Sequence, residues 1–220
     1  MRLQNGQSVV FFGDSITRGN FGSNYIDIIE RLLSEHPRSA NIRLINAGRD
    51  GDTVDGLKHR AQSDVLAYKP DWVVVLIGIN DVLNASVSIA GLSMESSGER
   101  QSTHHMIEHF TSSYLSLIDI LKGPVKNLAI CTTTVIEGSM GLSVEEKLAL
   151  VNDTIRSISQ VKNCGLIDLH LAFKKRVVEL REEGKHAEFL LTVDGVHLNK
   201  RGAQLVAETM FQFFSNDDTG

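Results

Sequence analysis

Trp72-Val73-Val74-Val75-Leu76-Ile77 is an unbroken apolar run, rich in β-branched side chains, with Pro70-Asp71 before it and Gly78 after it. A strand with one wet face would show polar residues at alternate positions. This one shows none, so both of its faces must be covered. Four more runs read as strands: Ser8 to Phe12, Ile42 to Asn46, Leu128 to Thr133 and Leu166 to Leu169. Between them, helical spacing marks Tyr25 to Leu33, Val54 to Tyr68, Met106 to Leu121, Val144 to Val161 and Leu171 to Leu180, with a last stretch from Ala203 to Phe214. This alternation predicts a doubly wound α/β fold, a parallel sheet of about five strands between two helix layers. Asn84 to Thr103 breaks the pattern, being rich in Ser, Gly and Met, and its weak periodicity predicts an irregular segment at the sheet's rim. Its apolar residues Val87, Ile89, Leu92 and Met94 suit a flap over a substrate, or equally a solvated insertion or subunit contact.

The bulk properties narrow the function. The 220 residues, 42% hydrophobic and 22% charged, suit one soluble domain spanning 1–220, large enough to form a core without disulfides or a structural metal. Lys and Arg total 22 against 27 for Asp and Glu, a net charge of -5, which disfavours nucleic acid as a partner. Met1-Arg2-Leu3-Gln4-Asn5-Gly6-Gln7 turns polar where a secretory signal needs an apolar run, and no stretch is apolar enough to span a membrane. A cytoplasmic location and no membrane partner are expected. Cys131 and Cys164 lack metal-type spacing and are expected to be buried free thiols.

In doubly wound sheets, ligands bind beyond the carboxyl ends of the strands. Gly13-Asp14-Ser15-Ile16-Thr17 leaves the first strand there, and Ser15 offers a hydroxyl, although a Gly turn with an Asp or Ser helix cap explains the same pentapeptide. After the second strand, Asn46-Ala47-Gly48-Arg49-Asp50-Gly51-Asp52-Thr53 contains Gly51, whose backbone freedom could present an N–H to an anion; Asp52 and Thr53 would also cap a helix. After the third, Gly78-Ile79-Asn80-Asp81 supplies a carboxamide, or simply a turn. Asp194-Gly195-Val196-His197-Leu198-Asn199 carries the sharpest signal. Its three-residue spacing lets Asp194 hold one imidazole nitrogen while the other faces a hydroxyl.

These four segments, from Gly13 to Asn199, resemble the four blocks of the GDSL, or SGNH, hydrolase family in order and content. The resemblance implies a flavodoxin-like three-layer fold and hydrolysis of esters or thioesters through an acyl-enzyme, with no cofactor. It implies Ser15 as nucleophile, His197 as base and Asp194 as orienting acid. The backbone N–H groups of Ser15 and Gly51 and the Asn80 carboxamide would then meet the oxyanion. Ile16 after the serine and Leu198 after the histidine depart from the commonest pattern. A small-molecule ester, with a short acyl group such as acetyl, is the expected partner. Oligomeric state is not legible.

Two other readings stand beside this one. His105-Met106-Ile107-Glu108-His109 matches the His-x-x-Glu-His pattern of one zinc peptidase class, so His105, Glu108 and His109 form a rival metal set, or a solvated helix face. A GDSL-like domain that only binds a ligand is the other.

Overall fold

The computed structural model describes residues 2–36, 41–90, 96–138 and 142–216. Strands β1 (Ser8–Gly13), β2 (Arg43–Gly48), β3 (Trp72–Leu76), β4 (Asn127–Cys131) and β5 (Gly165–Ile167) form one all-parallel sheet in the order β2-β1-β3-β4-β5. Every residue of β1 and β3 is buried, as their continuous apolar runs require, whereas β2 lies at an edge and is partly exposed.

Among the described residues eight helices complete the fold: α1 (Ser15–Arg18), α2 (Tyr25–Ser34), α3 (Val54–Asp64), α4 (Ile79–Ala90), α5 (Ser96–Lys122), α6 (Leu142–Lys162), α7 (Leu169–Glu182) and α8 (Lys200–Ser215). α8 packs with α2 and α7, while α5 packs with α3, α4 and α6, giving the two outer layers of an α/β/α sandwich. α2 shows why these segments form helices. Asn24 caps it by accepting from the Ile26 N–H at 2.9 Å, and Tyr25, Ile26, Ile29 and Leu33 supply the buried stripe. Among the described residues no helix is long and apolar enough to cross a membrane. Both cysteines are free; Cys131 is buried, but Cys164 is only partly so.

The expected irregular segment Asn84 to Thr103 is corrected by the structure. α4 runs to Ala90 and α5 begins at Ser96, so most of the segment is helical. Both helices are anchored by buried residues outside it: Ile79 and Val82 in α4, and Phe110, Tyr114, Leu117, Ile118 and Leu121 in α5. Once a turn is packed, each added residue gains a backbone hydrogen bond without needing an apolar face of its own. Of the expected flap residues, Val87 and Ile89 fall within α4, and Leu92 and Met94 lie outside the described residues.

The loops after β1 and β2 are held by one side chain. Arg60 shares the inner stripe of α3 with Leu57 and Ala61, and its side chain is 7% exposed. Its Nε donates to Asp52 Oδ2 at 2.6 Å, Nη1 to Ala47 O at 2.9 Å and Asp64 Oδ2 at 3.0 Å, and Nη2 to Gly13 O at 2.9 Å. The guanidinium also lies 4.5 Å from the Phe12 ring centroid. Removing one partner from such a buried charged set leaves the others unpaired, so Arg60→Ala is expected to lower the unfolding free energy by about 3–5 kcal/mol. Arg60→Lys, a point charge without the planar fork, should recover only part of that. Denaturant midpoints measure both; an alanine variant within roughly 1 kcal/mol of the parent would contradict the clamp.

Candidate active site

Ser15 is the first residue of α1, directly beyond the carboxyl end of β1. Asp14 makes the turn possible: its side chain accepts from the Ile16 N–H at 2.9 Å, and Gly19 closes the helix with positive φ, its N–H bonded to Ser15 O. Ser15 is 6% exposed, yet its Oγ lies 2.9 Å from His197 Nε2. The opposite ring nitrogen, Nδ1, is 2.6 Å from Asp194 Oδ2. Asp194 Oδ1 accepts from the backbone N–H groups of Val196 at 3.0 Å and His197 at 2.8 Å. Partial burial works against the Asp194 charge, but the His197 ring and the two backbone donors outweigh it and hold the carboxyl below the usual aspartate range. With both Asp194 oxygens engaged, the tautomer that matches carries its proton on Nδ1 and turns a basic Nε2 toward Ser15.

His197 reaches Ser15 from 182 residues away, on a loop with its own anchorage. Residues Thr192 and Leu198 form an antiparallel bridge, with Val193 N bonded to His197 O and Asn199 N to Leu191 O. Beneath the bridge Glu137 is buried, and its carboxylate accepts from the N–H groups of Leu190, Leu191 and Thr192 and from the Thr192 hydroxyl at 2.6–3.0 Å. Asn199 caps α8 with its oxygen and donates its amide to Leu190 O and Thr192 O. Glu137 carries no motif of its own in the sequence, because a single acid after a strand has no periodic signal.

The oxyanion candidates sit on the two neighbouring strand ends. Gly51 adopts φ 72° in the loop after β2, and a Cβ there would meet nothing within 4 Å, so conformation rather than space is what favours glycine. Asn80 lies in the first turn of α4, where its Nδ2 donates to Asp52 O at 2.9 Å; one amide hydrogen is thereby fixed and the other is left for a second acceptor. The same Asp52 is held by Arg60. Three of the four loops named from the sequence are therefore tied together at one rim.

The rival set does not gather in this way. His105, Glu108 and His109 are exposed on α5, with His109 2.6 Å from Asp55 and Glu108 3.2 Å from His104. Among the described residues no group of three or more His, Cys, Asp or Glu is placed to hold a metal ion. The pattern is that of a solvated helix face.

Asp14 is an unusual neighbour for a nucleophile. Burial pushes its carboxyl up to about 7; the Ile16 N–H opposes this, and Asp81 and Asp52 add to it. Asp81, partly buried, is raised to about 6, mainly by desolvation. In the unfolded chain an aspartate titrates near ~3.9, so between that value and 7 the folded state binds more protons and stability falls as pH rises. Asp14→Asn keeps an acceptor for Ile16 and removes the titration. Its melting temperature should gain on that of the parent from pH 5 to pH 7 and level off above that; a constant difference from pH 5 to pH 7 across thermal melts would contradict a protonated Asp14.

Comparison with known proteins agrees with this geometry. The model of the GDSL-like Lipase/Acylhydrolase family matches residues 11–205. An acetylxylan esterase from Geobacillus stearothermophilus is 27% identical over 96% of this chain and 95% of its own. The crystal structure of Axe2, an acetylxylan esterase from Geobacillus stearothermophilus, superposes with a TM-score of 0.80 at 25% identity, covering 99% of this chain and 98% of that one. The acetyl xylan esterase AlAXEase gives a TM-score of 0.75 at 29% identity over 93% and 98% of the two chains. The chain therefore belongs to the GDSL-like lipase/acylhydrolase family and is a carboxylic ester hydrolase.

Proposed function

We propose that this esterase removes short acyl groups, acetyl above all, from an alcohol through an acyl-enzyme on Ser15. The observation that carries the proposal is the continuous chain Ser15 Oγ, His197 Nε2, His197 Nδ1, Asp194 Oδ2, with links of 2.9 and 2.6 Å. A serine hydroxyl is a poor nucleophile until a base takes its proton. As Ser15 Oγ bonds to the ester carbon, its proton passes to His197 Nε2, and Asp194 stabilises the imidazolium. The carbonyl oxygen becomes negative and meets the N–H groups of Ser15 and Gly51 and the free amide hydrogen of Asn80. Collapse breaks the bond to the leaving oxygen, which takes the proton from His197 and departs as the alcohol. Water then attacks the acyl-Ser15, again losing its proton to His197, and the acid leaves as the Ser15 hydroxyl is restored. No step calls on a cofactor.

The acetyl preference is supported by the similarity to proteins described as acetylxylan esterases, three of whose structures are described as catalytic mutants in which an aspartate, a serine or a histidine is replaced by alanine. It makes a small acetylated carbohydrate the first substrate to test. We further propose, as expected from the sequence, that residues 1–220 act as one domain on a small-molecule ester in the cytoplasm.

Two variants test the roles. Ser15→Ala should fold and bind normally but hydrolyse acetate esters several powers of ten more slowly, since the oxyanion donors alone cannot replace the acyl-enzyme route. Turnover near that of the parent would sink the assignment. Asn80→Ala should lower kcat by roughly 10²- to 10³-fold with KM little changed; a change confined to KM would make Asn80 a ground-state binder instead.

A further inference from the structure

Phe21 is 57% exposed, and its ring centroid lies 5.1 Å from that of the His197 imidazole, the planes tilted by 46°. A lone exposed apolar residue needs no explanation by itself. What sets Phe21 apart is how firmly the backbone fixes it beside the catalytic base. Its loop is closed on one side by Gly19, which ends α1, and on the other by Asn24, which caps α2. Between them the Ser23 N–H donates to Leu198 O at 2.8 Å. A Cβ on Gly22 would lie 2.2 Å from that same oxygen, so the loop approaches the residue after His197 as closely as a glycine allows. Phe21 and His197 are thus registered to each other through the main chain.

The mechanism says which part of a substrate meets this ring. His197 Nε2 returns its proton to the leaving oxygen, so the alcohol half of the ester must lie beside the imidazole when the bond breaks. An aromatic ring against that imidazole faces the alcohol rather than the acyl group. Its face is apolar and carries partial negative charge, which suits a flat array of C–H bonds. Three residues before Phe21 in the chain, Arg18 at the end of α1 pairs with Asp50 at 2.9 Å, a partly exposed ion pair that joins α1 to the Gly51 loop and offers polar groups at the rim. A pyranose or pentopyranose ring combines such a C–H face with hydroxyls at its edge.

We infer that Phe21 is the leaving-group platform of the site, stacking on the sugar ring that carries the ester. This rests on the serine esterase reading above. It places selectivity for carbohydrate esters on the alcohol side, in a residue that bonds to no reacting atom.

The test compares an acetylated xylose oligosaccharide with ethyl acetate, which has no ring to stack. Phe21→Leu keeps apolar cover over His197 without a π face, and Phe21→Trp enlarges that face. The ratio of kcat/KM for the sugar ester to that for ethyl acetate should fall about tenfold in Phe21→Leu, mainly through KM, and return in Phe21→Trp. Calorimetry in a Ser15→Ala background should show the oligosaccharide bound about tenfold more weakly when Phe21 is also leucine. Equal loss on both substrates would reduce Phe21 to a cover for the imidazole and overturn the inference. So would a parent enzyme that hydrolyses ethyl acetate but not the sugar ester, with the serine mechanism left standing. Ethyl acetate turnover that survives Ser15→Ala would instead remove the mechanism, and the platform with it.

Discussion

The Arg60 guanidinium lies beneath the rim of the sheet with bonds to Gly13 O, Ala47 O, Asp52 and Asp64. Gly13 ends β1 two residues before Ser15; Ala47 belongs to the end of β2; Asp52 follows Gly51, and its carbonyl receives the Asn80 amide. One planar, permanently charged group thus ties together the loops that carry the Ser15 hydroxyl and the two proposed side donors, which come from three separate crossovers. A buried cation of this kind does not tolerate partial satisfaction, so the arrangement holds as a unit or is lost as one. That rigidity is what electrostatic catalysis requires, because donors aimed in advance at a developing charge need no reorganisation when it appears.

His197, the proposed base, is held independently. Glu137 gathers three consecutive backbone N–H groups and a hydroxyl under the loop that carries Asp194 and His197, while Asn199 ties the same loop to the start of α8. The two assemblies meet at the contact of Ser15 with His197 and at the clamp of Ser23 onto Leu198 O. Each is ordered by bonds to main chain, and the reacting side chains have only to bridge the short gap left between them. Such support from residues behind the reacting groups is what keeps a site within the tolerances of acyl transfer.

Much of the fold was legible because buried strands leave an unambiguous trace. The apolar run Trp72 to Ile77 marks β3, which spans Trp72–Leu76. At the edges the trace weakens: Ile42 to Asn46 became Arg43–Gly48, since a half-exposed strand keeps fewer apolar residues. The first turns of α5 leave no such trace, because helix propagation there does not depend on an apolar stripe. Of the proposed site, Ser15, Gly51, Asn80, Asp194 and His197 all lie in short motifs whose order resembles the family's four blocks, and that resemblance is what implies their roles. Arg60 left only a faint signal, a charged residue at the inward spacing of Leu57 and Ala61, and its meaning depends on carbonyls far away in sequence. Glu137 and Phe21 left none, since their partners are loop backbone and an imidazole brought close only by folding.

The central claim is that His197 makes Ser15 a nucleophile at neutral pH. Its most direct measurement is reaction with a fluorophosphonate, followed by peptide mass mapping, in the parent and in His197→Ala. The account predicts a single adduct on Ser15, formed rapidly in the parent and slowed by several powers of ten in the variant. An adduct on another residue, or labelling of Ser15 at the same rate without His197, would contradict it.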